Sequence, residues 1–154
     1  MSEFHLRIAS AQDTDIVCAK IEALCAFHDD NAKLDPAVFE NLLSDPKTQL
    51  RIILAEDRGK IIGLMAYYPT FRLHSATSGL HLHQFFIDKG YRGQGCARQF
   101  MGYLTNAAAE CGASYITVSA DLQNEPAQQV YLRMGFKRVA MGGAFFEYRP
   151  SQSG

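Results

Sequence analysis

The sequence predicts an α/β domain in which a mixed, mostly antiparallel central sheet is flanked by helices. Three observations carry this. Apolar residues recur with a period of two in some segments and at three- and four-residue intervals in others, and the two kinds alternate along the chain. Two β-favouring runs, 50–56 and 60–68, are joined by Asp57-Arg58-Gly59, a hairpin signal that makes them antiparallel. A later strand ending in Phe85-Phe86-Ile87 passes through a glycine-punctuated turn into a long helix and on to another strand, and such a crossing is parallel.

In chain order, residues 4–9 alternate, with Phe4, Leu6 and Ile8 on one side, as a first strand. Ser10 or Asp13 caps a helix that runs to about Phe27, with Ile16, Ala19, Ala23 and Leu24 on its apolar face. His28-Asp29-Asp30-Asn31 is a polar loop, and Pro36 opens a short helix that Asp45-Pro46 closes. After the hairpin, Pro69 is expected to end the second strand, leaving 70–78 as a loop. Asp88-Lys89-Gly90 ends the next strand. Ala97, Phe100, Met101, Leu104, Ala108 and Cys111 then mark the buried stripe of a helix that Gly112 stops. Residues 114–120 form a strand. Asn124 caps a helix with Pro126 in its first turn and Gly135 at its end. Closing strands are expected at 136–140 and 144–148. Residues 1–150 thus read as one domain and 151–154 as a loose tail.

Composition narrows the function. At 154 residues, with 47% hydrophobic content, the chain can bury a core without metal or disulfides. A net charge of −1 gives no reason to expect nucleic acid, and no basic run points to a membrane surface. No apolar stretch can span a bilayer and the opening MSEFHLRIAS lacks signal-peptide features, so a cytoplasmic protein is expected. Cys18, Cys25, Cys96 and Cys111 contain no CxxC pair, and Cys18 and Cys25, seven apart on one helix face, read as buried thiols. His81 and His83 have no third ligand placed by sequence, so no metal is expected.

The turn Arg92-Gly93-Gln94-Gly95-Cys96-Ala97 has a chemical use. Glycines let backbone approach a ligand closely, and the first helical turn offers unpaired N–H groups at its positive dipole end. Both suit a phosphate or pyrophosphate. Neither standard nucleotide motif is present: no Lys-Ser or Lys-Thr follows the glycines, and the dinucleotide pattern fails at Arg98. Alone, the segment is equally an ordinary strand-to-helix turn.

That turn, following the strand, together with Asn124-Glu125-Pro126-Ala127, then Tyr131, then Gly135-Phe136, resembles the GCN5-related N-acetyltransferase (GNAT) family. Arg92, Gly95 and Ala97 fill the family's Q/R-x-x-G-x-G/A loop, and the second segment looks like its N-x-x-A-x-x-x-Y-x-x-x-G-F signature. The resemblance implies acetyl-coenzyme A as co-substrate. Backbone groups of Phe85, Phe86 and Ile87 would pair with the pantetheine arm, and N–H groups of Gly93, Gln94, Gly95, Cys96, Ala97 and Arg98 would hold the pyrophosphate. Asn124, with Ala127 beside it in the motif, would bind the cofactor near its thiol end; simple helix capping is the alternative. Tyr131, two helical turns beyond Asn124, would be the general acid, or else a core anchor.

Amine acetylation also needs a base, because an alkylammonium with a pKa near ~10.4 is charged at neutral pH. Residues 62–68 and 82–86 look most like the diamine (spermidine/spermine) acetyltransferases, but His83-Gln84 stands where those enzymes carry Glu-Asp. His83 suits a general base or a structural, hydrogen-bonded role. His28 and Asp29, with Asp30, fall where the substrate loop of those enzymes lies, and with His83 and Gln84 they form the expected acceptor site. Relatives often form dimers, so a homodimer is expected. The readings are therefore an acetyl transferase for a small or polyamine-like primary amine, one for a protein lysine or N-terminus, or a coenzyme-binding regulatory module without turnover.

Overall fold

The computed structural model describes residues 3–27, 33–140, 144 and 146–150. The elements are β1 (His5–Ile8), α1 (Thr14–Phe27), α2 (Pro36–Ser44), β2 (Arg51–Asp57), β3 (Lys60–Arg72), β4 (Thr77–Ile87), α3 (Cys96–Cys111), β5 (Tyr115–Val118) and α4 (Glu125–Arg133). Among the described residues five strands form one sheet, in the order β1-β2-β3-β4-β5. Neighbours are antiparallel through β4, and β5 lies parallel to β4, as the strand–helix–strand connection requires.

Both faces of the sheet are covered, so β2 is apolar on successive residues instead of alternating. Ile53, Met65 and Leu82 face Phe100, Leu104 and Ala108 of α3 on one side. Ile52, Leu54 and Leu64 face Val17 of α1 and Phe39 and Leu43 of α2 on the other. Phe100 is fully buried, and burying such a ring contributes roughly 1.5–3 kcal/mol.

Polar contacts fix the start and the flank of α1. Arg7 donates to both carboxylate oxygens of Asp13 at 2.8 and 2.7 Å and to Glu56 Oε1 at 2.8 Å, while Asp13 Oδ2 accepts the Ser10 backbone N–H at 2.8 Å. Ser10 is the N-cap, of a 3-10 turn that leads into α1. Further along α1, Lys20 Nζ donates to both oxygens of Asp88, at 2.8 and 2.7 Å, just past the end of β4. This ties the helix to the strand that carries the site.

Three expectations change. Pro69 does not end β3. It pairs with Leu80, and β3 continues to Arg72. β2 stops pairing at Arg51–Tyr67, so beyond Tyr67 β3 is an edge strand, where a missing N–H is tolerated. The expected loop at 70–78 is accordingly strand on both sides of a 3-10 turn at Leu73–Ser75. Residues 136–140 are not a strand: they pair with no strand of the sheet, and Val139 is 69% exposed. Of the partner expected at 144–148, residue 145 lies outside the described residues and the rest has no strand pairing. The tail at 151–154 also lies outside the described residues.

Candidate active site

β4 opens the site. Its pairing with β5 ends at Leu82–Val118, so among the described residues 83–87 have a strand partner only on the β3 side. Ala66 pairs with Gln84 and Tyr67 with Leu82, which makes His83 the extra residue of a β-bulge. The bulge reverses the side-chain parity. Leu80 and Leu82 before it, and Phe85 and Ile87 after it, all face the α3 core. His83 is thereby exposed at the point where β4 and β5 part.

Beyond β4 the turn reaches the N-terminus of α3. Gly93 and Gly95 take left-handed backbone, with φ of 75° and 91°, which a side chain disfavours. Gly95 is the N-cap and supplies no side chain to the first turn. The first intrahelical bond runs from Gln99 N–H to the Gly95 carbonyl, so the N–H groups of Cys96, Ala97 and Arg98 have no partner within the helix.

Two clefts meet here. The larger, of about 1010 Å³, lies over the α3 N-terminus and the free edge of β4. All of the residues expected to hold the coenzyme line it except Gln94. The Gln94 side chain donates to the Gly90 carbonyl at 2.9 Å, within the turn. Arg92 also works on the protein itself: its Nε donates to the Ile87 carbonyl at 2.9 Å and its guanidinium lies 5.9 Å from the Phe86 ring centre. It clamps the turn to the end of β4. The smaller cleft, of about 660 Å³, is lined by His83 and Gln84 with the loop between β5 and α4. His28 and Asp29 lie outside the described residues.

Tyr131 and Asn124 line both clefts. Asn124 Oδ1 accepts the Ala127 N–H at 3.2 Å, so its capping role is real, and Nδ2 is the part of the amide that can donate elsewhere. Tyr131 packs edge-on against Phe136 at 6.0 Å, and burial pushes its phenol above the ordinary value. Burial also pushes the Cys96 thiol up, to about 11, which leaves it a poor nucleophile at neutral pH. Behind His83, the Tyr68 ring lies 5.8 Å from it and 5.3 Å from His81. His81 shares a 2.8 Å hydrogen bond with Thr117 Oγ1, and its pKa is lowered by burial and then by the charge of His83. Among the described residues no group of three possible metal ligands comes together, and no helix is long and apolar enough to cross a membrane.

Sequence reasoning missed several residues of these walls. Leu24 of α1 lines both clefts, Arg133 lines the larger and Asp121 the smaller. Asp121 had a signal: it lies between a strand end and a helix N-cap, outside the carboxyl end of a strand, where α/β sheets place ligands.

The larger cleft fits a coenzyme A thioester. It offers helix N-terminal amides and the arginines Arg92, Arg98 and Arg133, with no carboxylate among the described lining residues, together with a strand edge that an amide-bearing arm can pair with. Known proteins of similar sequence and fold agree. The model of the acetyltransferase (GNAT) family matches residues 17–136. An aminoalkylphosphonate N-acetyltransferase of Salmonella typhimurium is 29% identical over 134 residues, spanning 87% of this chain and 85% of that protein. An uncharacterized N-acetyltransferase of Mycobacterium tuberculosis is 28% identical over 116 residues, 75% of this chain and 69% of that one. Among solved structures, an aminoglycoside acetyltransferase from an uncultured soil metagenomic sample has the same fold, with a TM-score of 0.75 at 19% identity over 96% of this chain and all of that one. Sequence and fold converge, and the chain belongs to the GNAT family as an N-acetyltransferase that uses acetyl-coenzyme A.

Proposed function

We propose that the protein moves an acetyl group from acetyl-coenzyme A directly to a primary amine of a small molecule, with Tyr131 as general acid and His83 as general base. The observation that carries this reading is the position of Tyr131 on the wall shared by the two clefts. A group there can act on both the donor and the acceptor.

When bound, acetyl-coenzyme A supplies the activated thioester. The first-turn amides of α3 and Arg98 hold its pyrophosphate, and the free edge of β4 at Phe85, Phe86 and Ile87 aligns its arm. Asn124, through Nδ2, steadies the end near the sulfur. Tyr131 keeps a proton at Oη for the departing thiolate, and burial that raises its pKa favours the protonated state. His83 accepts the proton of the incoming ammonium, directly or through one water. Cys96 takes no part as a nucleophile, in keeping with its raised pKa. The second cleft, of about 660 Å³, has room for a small amine.

The proposal includes a single catalytic domain over residues 1–150 and assembly as a homodimer; exposed Phe71 and Leu73 at the β3–β4 tip offer apolar surface for it. Light scattering at 17.1 kDa only would remove the dimer. The function is tested by following thiol release from acetyl-coenzyme A with small amines. Coenzyme binding without amine-dependent release would leave a binding module.

A further inference from the structure

The two clefts carry opposite charge. The larger is lined by Arg92, Arg98 and Arg133 and by no carboxylate among the described residues. The smaller is lined by Asp121 and, among the described residues, by no lysine or arginine. The first pattern suits a polyanionic coenzyme. The second suits an acceptor that brings positive charge and no anionic group.

Asp121 is held in place. Its Oδ1 accepts the Gln123 backbone N–H at 2.7 Å, forming an Asx turn. Its backbone carbonyl accepts from Asn124 N–H and from Gln128 Nε2, both at 2.9 Å. The turn occupies one carboxylate oxygen and leaves Oδ2 with acceptor capacity. The same loop runs directly into Asn124, so the carboxylate is fixed relative to the shared wall.

We infer that Asp121 is the specificity residue of the acceptor cleft, and that the acceptor is a small amine bearing a second positive charge and no phosphonate or carboxylate. The inference rests on the amine-acetyltransferase reading above. Asp121 pairs with the distal ammonium while the reacting amine lies at His83 and Tyr131. An aminoalkylphosphonate would put two negative charges beside Asp121, with no arginine or lysine among the described lining residues to receive them. This sets the chain apart from its Salmonella relative.

The test compares diaminobutane, butylamine and aminobutylphosphonate as acceptors at saturating acetyl-coenzyme A, with wild type and Asp121→Asn. Asparagine keeps an oxygen for the Asx turn, so the loop is preserved. Wild type should prefer the diamine, and Asp121→Asn should lower the diamine-over-monoamine ratio of kcat/KM about fivefold, the scale of one exposed charge pair. An unchanged ratio, or a wild type that prefers the phosphonate, would overturn the inference. Calorimetry of diaminobutane binding in the presence of coenzyme A separates the two claims. If no amine is acetylated, the proposed activity fails, but an Asp121-dependent diamine affinity still supports the site. Equal affinity in the two proteins, or no binding to either, rejects it.

Discussion

Asn124 and Tyr131 stand seven residues apart, at the cap and the end of the second turn of α4, and both line the two clefts that meet beside β4. One short helix therefore borders both clefts, with its cap and its tyrosine on the wall they share.

Tyr131→Phe removes the hydroxyl and keeps the ring that packs on Phe136. Turnover should fall about 100-fold or more, the usual scale of general acid catalysis. Coenzyme A affinity by calorimetry should stay within about twofold of wild type, because the larger cleft is otherwise intact. Equal turnover in the two proteins would take Tyr131 out of the mechanism.

At Asn124, capping and ligand binding can be separated. Asn124→Ala should cost about 1 kcal/mol of stability in urea unfolding, through loss of the bond to Ala127 N–H. Asn124→Ser should restore most of that stability, since serine also caps, while removing the amide donor. A serine variant with wild-type acetyl-coenzyme A KM would show that capping is the residue's whole role.

Gly95→Ala places a methyl group on backbone with φ of 91°. The strain should cost roughly 1–2 kcal/mol, and the turn should shift away from the geometry that exposes the α3 amides. Weakened coenzyme A binding in a still-folded protein is the expected result. Unaltered binding would argue that these amides do not hold the pyrophosphate.

The Arg7 guanidinium holds the Asp13 carboxyl at about 2, against an ordinary value of 3.8. A carboxylate whose pKa is depressed by folding stabilises the protein above its unfolded value and loses that contribution as pH falls through the folded one. The Asp13 share, roughly 2 kcal/mol, should be present above about pH 4 and disappear between about pH 4 and pH 2. Urea unfolding across that range should show a shallower acid dependence in Asp13→Asn than in wild type. Parallel curves would refute the assignment.

The sequence carried the site's frame because each part of it has a local signal. Gly93 and Gly95 mark a left-handed turn, the spacing from Ala97 to Cys111 marks the helix after it, and Asn124 with Pro126 marks the next cap. What it hid depends on partners distant in the chain. Pro69 reads as a strand end until it is seen that β2 has already stopped pairing there. The bulge at His83 shows only in the register against Ala66 and Tyr67, and it decides which face carries Phe85. Apolar alternation after Phe136 reads as strand, yet pairing needs a neighbour, and β5 has none on that side among the described residues. Leu24 and Asp121 join the site only because α1 and the β5–α4 loop converge over β4.

The most direct test is thiol release from acetyl-coenzyme A with diaminobutane, measured for wild type and Tyr131→Phe under identical conditions. Wild type should show amine-dependent release and the variant a loss of about 100-fold or more, with coenzyme affinity retained. Coenzyme binding by both proteins with no amine-dependent release from either, or equal rates in the two, would contradict the proposed mechanism.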